Sequence, residues 1–241
     1  MNTMHKDMMY KAVILTAGIG KRVGQWSEVF NKALLPINGK PVICQIIEKF
    51  PKNVEIVIAV GYKKEQVIMY LESNYPDRKL TFVDVIKYTG EGSGPGYSML
   101  MCKEHLQCPF VFYAVDTIVT EDVPAPDRNW YGAAEVPDTT RFQSCSVDET
   151  MRLTKIEDKV KSDNKYAFIG LAGIHDYKTF WDNLASDKTL IGGELQVSNG
   201  FQGLLRTKEG IYAQVFHWFD SGTMDEYRAT QAYFAKHPDE Y

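Results

Sequence analysis

What this sequence has little of narrows it before any motif is read. Its four cysteines, Cys44, Cys102, Cys108 and Cys145, stand at no metal-ligand spacing, and its five histidines are scattered. A zinc ribbon is therefore not expected, and reduced thiols in a cytoplasmic protein are the default. No apolar run approaches the ~20 residues that a membrane span needs. A net charge of −4 gives neither nucleic acid nor an anionic membrane a reason to bind. Internal repeats and low-complexity tracts are lacking too. The first nine residues, MNTMHKDMM, hold His5, Lys6 and Asp7 and no apolar core, so they read as a poorly ordered extension and not as a signal peptide.

What is present is ordinary globular material, 241 residues with 44% hydrophobic and 24% charged. That length suffices for one large α/β domain or two small ones and buries roughly 70% of the chain's surface. The stretch that organises the rest is KAVILTAGIGKRVGQWSEVFNKALLPINGKP, Lys11 to Pro41. Ala12 to Leu15 is a short, β-branched-rich apolar run, the pattern of a buried strand. Thr16, Ala17, Gly18, Ile19 and Gly20 follow at once, then Lys21 and Arg22, and Lys32 ten residues after Arg22. A glycine loop leaving a buried strand lets backbone N–H groups close around phosphate oxygens. Arginine offers phosphate a planar fork, and lysine a compact point charge. A nucleoside phosphate site is the first inference. The same residues also read as a plain strand-to-helix turn with surface cations.

Two other phosphate devices fit less well. Gly18, Gly20 and Gly24 give GxGxxxG, not GxGxxG, and the next strand, Glu55 to Val60, lies about forty residues on with no carboxylate to close it, against the roughly twenty of a dinucleotide fold. A Walker loop fails because Lys21 is followed by Arg22 and not by Ser or Thr.

The run resembles the signature of nucleotidyltransferases that join a nucleoside triphosphate to a sugar 1-phosphate. That family shows a strand, a GxGxR-type loop and a Pro-Lys-x-Leu-Leu-Pro segment. AGIGKR and NKALLPINGKP match it with Arg22 and Lys32 at the family's spacing. Lys21 stands where Thr is usual, and Asn31 replaces the proline before Lys32. Both catalytic cations are kept.

Along the chain, Pro41 suits the first position of a helix over Val42 to Phe50. Lys63 to Ser73 is an amphipathic helix facing inward through Val67, Ile68 and Leu71. Leu80 to Val85 reads as a third strand, and the alternation argues for a parallel sheet covered on both faces. TGEGSGPGYSML, residues 89–100, is a loop with Ser98 as N-cap of Met99 to His105. It is either a simple connection or, by the resemblance, the loop that cradles the nucleobase through Gly92, Gly94 and Gly96. Pro109 to Val115 is a central strand with Asp116 at its end, where open α/β sheets bind ligands. Many strands end in Asp merely to turn. The resemblance makes Asp116 a Mg²⁺ ligand.

After Glu121 short β segments follow near residues 131–136, 144–147 and 151–156, similar to the family's acceptor-binding half. Glu157, Asp158, Lys159 and Val160 stand where the family has Glu-Lys-Pro, which makes Lys159 a candidate for the acceptor, against a solvated charge run. Gly170 would let backbone approach a sugar. Glu194, in GGELQVSNGFQGLL, is carried over as a sugar contact, against a first-turn helix acid. HWFDSGTMDEYRATQAYF matches Trp-x-Asp-x-Gly-Thr at Trp218, Asp220, Gly222 and Thr223. Asp220 would be the second Mg²⁺ ligand, and Thr223 with Glu226 forms a capping box.

The expectation is an α/β, Rossmann-like three-layer sandwich with a mixed, mostly parallel sheet. Residues 10–241 would form one domain, nucleotide-binding to about 120 and acceptor-binding from 121. A β-helix extension is not expected after Tyr241. Arg22, Lys32, Asp116 and Asp220 are the catalytic set; Ala17, Gly18, Gly20 and Lys21 join the three loop glycines on the nucleotide; Lys159, Gly170 and Glu194 face the acceptor. The partners implied are a nucleoside triphosphate, a phosphorylated small molecule and Mg²⁺, with a homo-oligomer permitted and polysaccharide synthesis as the setting. A cytidylyltransferase for phosphocholine or glycerol phosphate, a non-catalytic nucleotide-binding regulator and an NAD(P) oxidoreductase stay as rivals.

Overall fold

The computed structural model describes residues 9–240, so all of the expected N-terminal extension except Met9 lies outside the described residues. Lys11–Leu15 forms the middle of a nine-stranded sheet. It pairs in parallel with Glu55–Val60 on one side and Phe110–Ala114 on the other. Leu80–Asp84 continues the parallel run. Beyond Phe110–Ala114 the sheet turns antiparallel. The long strand Tyr166–Ile174 joins there through Leu171 to Ile174, while Tyr166 and Ala167 reach Gln143–Val147. Leu153–Asp158 follows as the edge, Trp130–Glu135 pairs with the long strand, and Tyr212–Val215 pairs in parallel with Trp130–Glu135. The sheet is thus mixed, as expected.

Side-chain alternation sorts this sheet into two cores. Ala12, Ile14, Ile56, Ile58, Val111 and Tyr113 pack with Ile43, Ile46 and Ile47 of the Val42–Glu48 helix, Val67 and Leu71 of Lys64–Asn74, and Phe234 of Met224–Lys236. Val13, Val57, Ala59, Phe110 and Phe112 face the other way, onto Met99 and Cys102 of the Pro95–Cys102 helix, Phe180 and Trp181 of Tyr177–Ser186, and Phe201 of Ser198–Leu205. Strands buried on both faces carry no polar alternation, which is why the sequence shows them as continuous apolar runs.

Two boundaries differ from expectation. Pro41 is not the first helical residue; it pairs with Pro36 in a small hairpin and leads into the helix from outside. Ser98 is not an N-cap either. The helix begins at Pro95, whose missing N–H suits a first turn, and the Ser98 hydroxyl donates back to Gly94 O at 3.2 Å. The capping box holds as read: the Thr223 hydroxyl takes Glu226 N–H while the Glu226 carboxylate takes Thr223 N–H at 3.1 Å.

Candidate functional site

The carboxyl ends of Lys11–Leu15 and Phe110–Ala114 open onto a cleft of about 940 Å³. Thr16 N–H donates to Ala59 O, and the chain then turns through Gly20 at φ +70° into a short 3-10 turn, Lys21–Val23. Gly20 lies against the stem of Lys32, where a Cβ would come within 3.1 Å of Lys32 Cβ. That contact steers Lys32 toward the strand end. Its ammonium donates to Asp116 Oδ2 at 2.9 Å, and Arg22 Nη2 stands 3.8 Å from the same oxygen. Burial pushes the Asp116 carboxyl up, but the Lys32 ammonium, and then the Arg22 guanidinium, outweigh it and hold it below the usual range. The Lys32 side chain is 11% exposed and that of Arg22 67%, so one cation is walled in at the strand end while the other faces the open cleft.

Asp220 arrives by strand pairing. Trp218–Asp220 lies antiparallel to Thr117–Val119, and Ser221 N–H donates to Asp116 O at 2.9 Å. Asp220 Oδ1 accepts Gly222 N–H at 2.6 Å. Burial, then the negative charges of Asp116 and Glu226, push the Asp220 carboxyl up to about 7. Two carboxylates that raise one another's cost of ionisation form a donor set of hard oxygens. Among the described residues no group of three or more His, Cys, Asp or Glu could hold a metal ion. Mg²⁺ is ordinarily bound by one or two carboxylates with substrate phosphates completing its shell, so the pair fits that ion.

Past Asp116 a smaller cavity of about 220 Å³ runs toward Arg141, Gln143, Asp158 and Gly170, walled by Phe112, Phe142, Phe168 and Trp218. Burial raises the Asp158 carboxyl, whose Oδ2 accepts the Ser198 hydroxyl at 2.8 Å. Trp218 Nε1 is buried without a hydrogen-bond partner among the described residues. Gln143 also lies beside the buried Tyr131 phenol, whose pKa burial pushes up and Gln143 pulls down.

The sequence-predicted residues fall into three sets. Ala17, Gly18, Gly20, Lys21, Arg22, Lys32, Gly94, Asp116, Lys159 and Glu194 line the main cleft. Gly170 and Asp220 line the smaller cavity, while Gly92 and Gly96 line neither. Gly92 N–H is taken by Gly193 O at 2.7 Å, and a Cβ on Gly96 would stand 2.6 Å from Gln196 O. The Gly92 bond ties the 89–94 loop to the turn of the Leu190–Ile191/Glu194–Leu195 hairpin, and the bare Gly96 lets the first turn of the Pro95–Cys102 helix lie on Leu195 and Gln196. Gly170, at φ +79°, likewise lets its strand cross Ala114, whose Cβ would be 2.6 Å from a Cβ there. Sequence reasoning did not single out Tyr88, Ser93 and Gln196 in the cleft, or Arg141, Gln143 and Asp158 in the cavity. Asp158 had a signal in its place beside Lys159 within a strand.

Residues 12–125 match the family model of the MobA-like NTP transferase domain. The bifunctional protein GlmU of Methanococcus aeolicus is 29% identical over 219 residues, covering 88% of this chain and 51% of that protein. The chain therefore spans about half the length of the curated relatives it matches. Among solved structures, the CTP:phosphocholine cytidylyltransferase LicC of Streptococcus pneumoniae superposes with a TM-score of 0.76 at 23% identity, covering 94% of this chain and 100% of that one. An apo UDP-glucose pyrophosphorylase superposes at 0.78 with 17% identity, covering 95% and 100%. At those identities the structural likeness establishes the fold alone.

Proposed function

We propose that the chain, whose residues 12–125 match the MobA-like NTP transferase domain, condenses a nucleoside triphosphate with a sugar 1-phosphate to give a nucleotide-activated sugar and pyrophosphate. The observation that carries this is one strand end, where Lys32 and Arg22 converge on Asp116 with Asp220 bonded alongside. A nucleotide-binding regulator has no need of a buried lysine fixed beside two carboxylates.

In this reading the acceptor's phosphate oxygen attacks the α-phosphorus in line. The α–β bridging bond breaks and pyrophosphate leaves with the electron pair. The attacking oxygen is already an anion, so no general base is required. Such chemistry is positioning and charge neutralisation. Lys32 neutralises charge building at the attacked phosphate, and the exposed Arg22 holds the triphosphate and its leaving group. Gly18, Gly20 and Lys21 wrap the phosphates. When bound, Mg²⁺ held by Asp116 and Asp220 would supply Lewis-acid polarisation of phosphate oxygens.

The acceptor's body lies in the smaller cavity. Its aromatic walls and the Asp158 carboxylate favour a second reading, a phosphorylated amino alcohol such as phosphocholine. A sugar's hydroxyls can donate to the Asp158 carboxylate and accept from Arg141, both of which line that cavity, whereas a quaternary ammonium has neither a hydrogen to donate nor a lone pair to accept with. The sugar reading is preferred on that ground. Glycan synthesis in the cytoplasm, where triphosphates are held, is the setting that follows. No helix among the described residues is long and apolar enough to cross a membrane. The test is pyrophosphate release from each common triphosphate with a panel of hexose 1-phosphates, phosphocholine and glycerol phosphate. Release with a hexose phosphate supports the reading; release with phosphocholine alone replaces the acceptor; none anywhere, with triphosphate still bound, leaves the regulator.

A further inference from the structure

Asn31 precedes the catalytic lysine and is 1% exposed. Every polar atom of its amide is engaged. Nδ2 donates to Thr16 O at 3.0 Å and to Tyr62 O at 2.7 Å, and Oδ1 accepts Ala33 N–H at 2.9 Å. Its backbone N–H donates to the Gln66 side chain at 2.8 Å. These partners belong to three separate segments. Thr16 opens the phosphate loop, Tyr62 follows the Glu55–Val60 strand, and Ala33 lies in the 3-10 turn Lys32–Leu34 that carries the lysine. The first two are bonded to each other as well, through Tyr62 N–H to Ala17 O at 2.9 Å. One buried amide therefore fixes the lysine's turn against the loop that would hold the triphosphate, while Gly20 presses on the lysine's stem from the other side.

We propose that Asn31 is a positioning residue for the transfer step, acting only through Lys32; this rests on the nucleotidyl-transfer reading above. Asn31 lines the cleft, but both its amide hydrogens and its backbone N–H are used inside the protein and its oxygen caps the turn, so it has no donor left for a phosphate. An amide here can donate to two carbonyls and cap a turn at once. Removing it frees the turn to shift, and a shift of about 1 Å at a positioned catalytic group costs up to about 100-fold in rate.

The experiment is a double-mutant cycle with kcat and the triphosphate KM read separately. Asn31→Ala is expected to lower kcat about 10- to 100-fold and leave KM within about threefold. In a Lys32→Ala background the same substitution should change kcat by less than about twofold, because the group it positions is gone. Equal losses in both backgrounds, or a loss carried by KM, overturn the proposal. Asn31→Ser, which keeps a capping oxygen but cannot straddle two carbonyls, stands in if the alanine variant does not fold, with the same expectations. Should the wild type turn over no acceptor, the transfer reading alone falls. The cycle is then read on the ¹⁵N side-chain resonance of Lys32, assigned by its loss in Lys32→Ala. A resonance that Asn31→Ala does not move overturns the positioning role.

Discussion

Lys32 and Asp220 carry the same site at opposite cost to the fold, and each makes a distinct prediction. Lys32 is nearly buried and finds its counter-charge in Asp116. Lys32→Ala should lower kcat by roughly 10²–10³, about 3–4 kcal/mol, as for other preorganised charge stabilisers, with the triphosphate KM changing far less. Turnover within threefold of wild type would identify Lys21 as the next lysine to remove. The aspartates separate by stability. Asp116→Asn removes the counter-charge of Lys32 while keeping an oxygen for it to donate to, and should destabilise the protein by about 1–3 kcal/mol. Asp220→Asn should stabilise it. A carboxyl held up to about 7 when folded, against roughly 3.9 unfolded, binds its proton more tightly in the native state. Native stability is therefore lost as pH rises from about 4 through 7, and the asparagine escapes that loss. In EDTA, Asp220→Asn should gain on the order of 1–3 kcal/mol at pH 8 and little at pH 4. A gain that is equal at both pH values would sink the assignment. Both variants should lose most of their turnover, and EDTA should do the same to wild type.

At the scale of the elements, glycines that look alike in the sequence do different work. Among the described residues nothing lies within 4 Å of a Cβ built on Gly18, whereas one on Gly96 meets Gln196 O at 2.6 Å and Leu195 Cγ at 2.9 Å. Gly18→Ala should leave the melting temperature within a degree or two, since surface changes cost within about 0.5 kcal/mol, yet weaken triphosphate binding severalfold. Gly96→Ala should destabilise by about 1–3 kcal/mol through overpacking against backbone. Calorimetric melting beside triphosphate titration checks the pair; the reverse pattern would mean that the helix start at Gly96, and not the Gly18 loop, holds phosphate. This difference also marks what was legible. Strands such as Glu55–Val60 and Phe110–Ala114 were legible because burial on both faces writes an unbroken apolar run. The capping box was legible because its bonds span four residues. The roles of Gly92, Gly96 and Gly170 were not, because their partners Gly193, Gln196 and Ala114 are remote in sequence. Gln143 and Asp158 went unnoticed for the same reason: an isolated polar residue in a strand reads as exposed until a cavity is found in front of it.

For the molecule as a whole, the residues before and after about position 120 share one sheet. Residues 171–174, from the later part, pair with Phe110–Ala114 from the earlier part, beside Lys11–Leu15 at its centre. The C-terminal segment returns as well: Trp218–Asp220 pairs with Thr117–Val119, and the Tyr227 hydroxyl donates to Pro36 O at 2.6 Å. Neither part could unfold alone without opening an edge beside buried strands and exposing a shared core. We propose that the chain unfolds as one cooperative unit, with calorimetric and van't Hoff enthalpies in agreement. Triphosphate with Mg²⁺ at 100 times its Kd adds about 2.7 kcal/mol to the native state, and at this size each kcal/mol raises Tm by about 2–4 °C. The expected outcome is one transition moved upward by about 5–10 °C over its whole width. Two transitions, of which ligand moves only the one reported by the earlier part, would show that residues 10–120 and 121–241 are separate folding units that merely share a strand border.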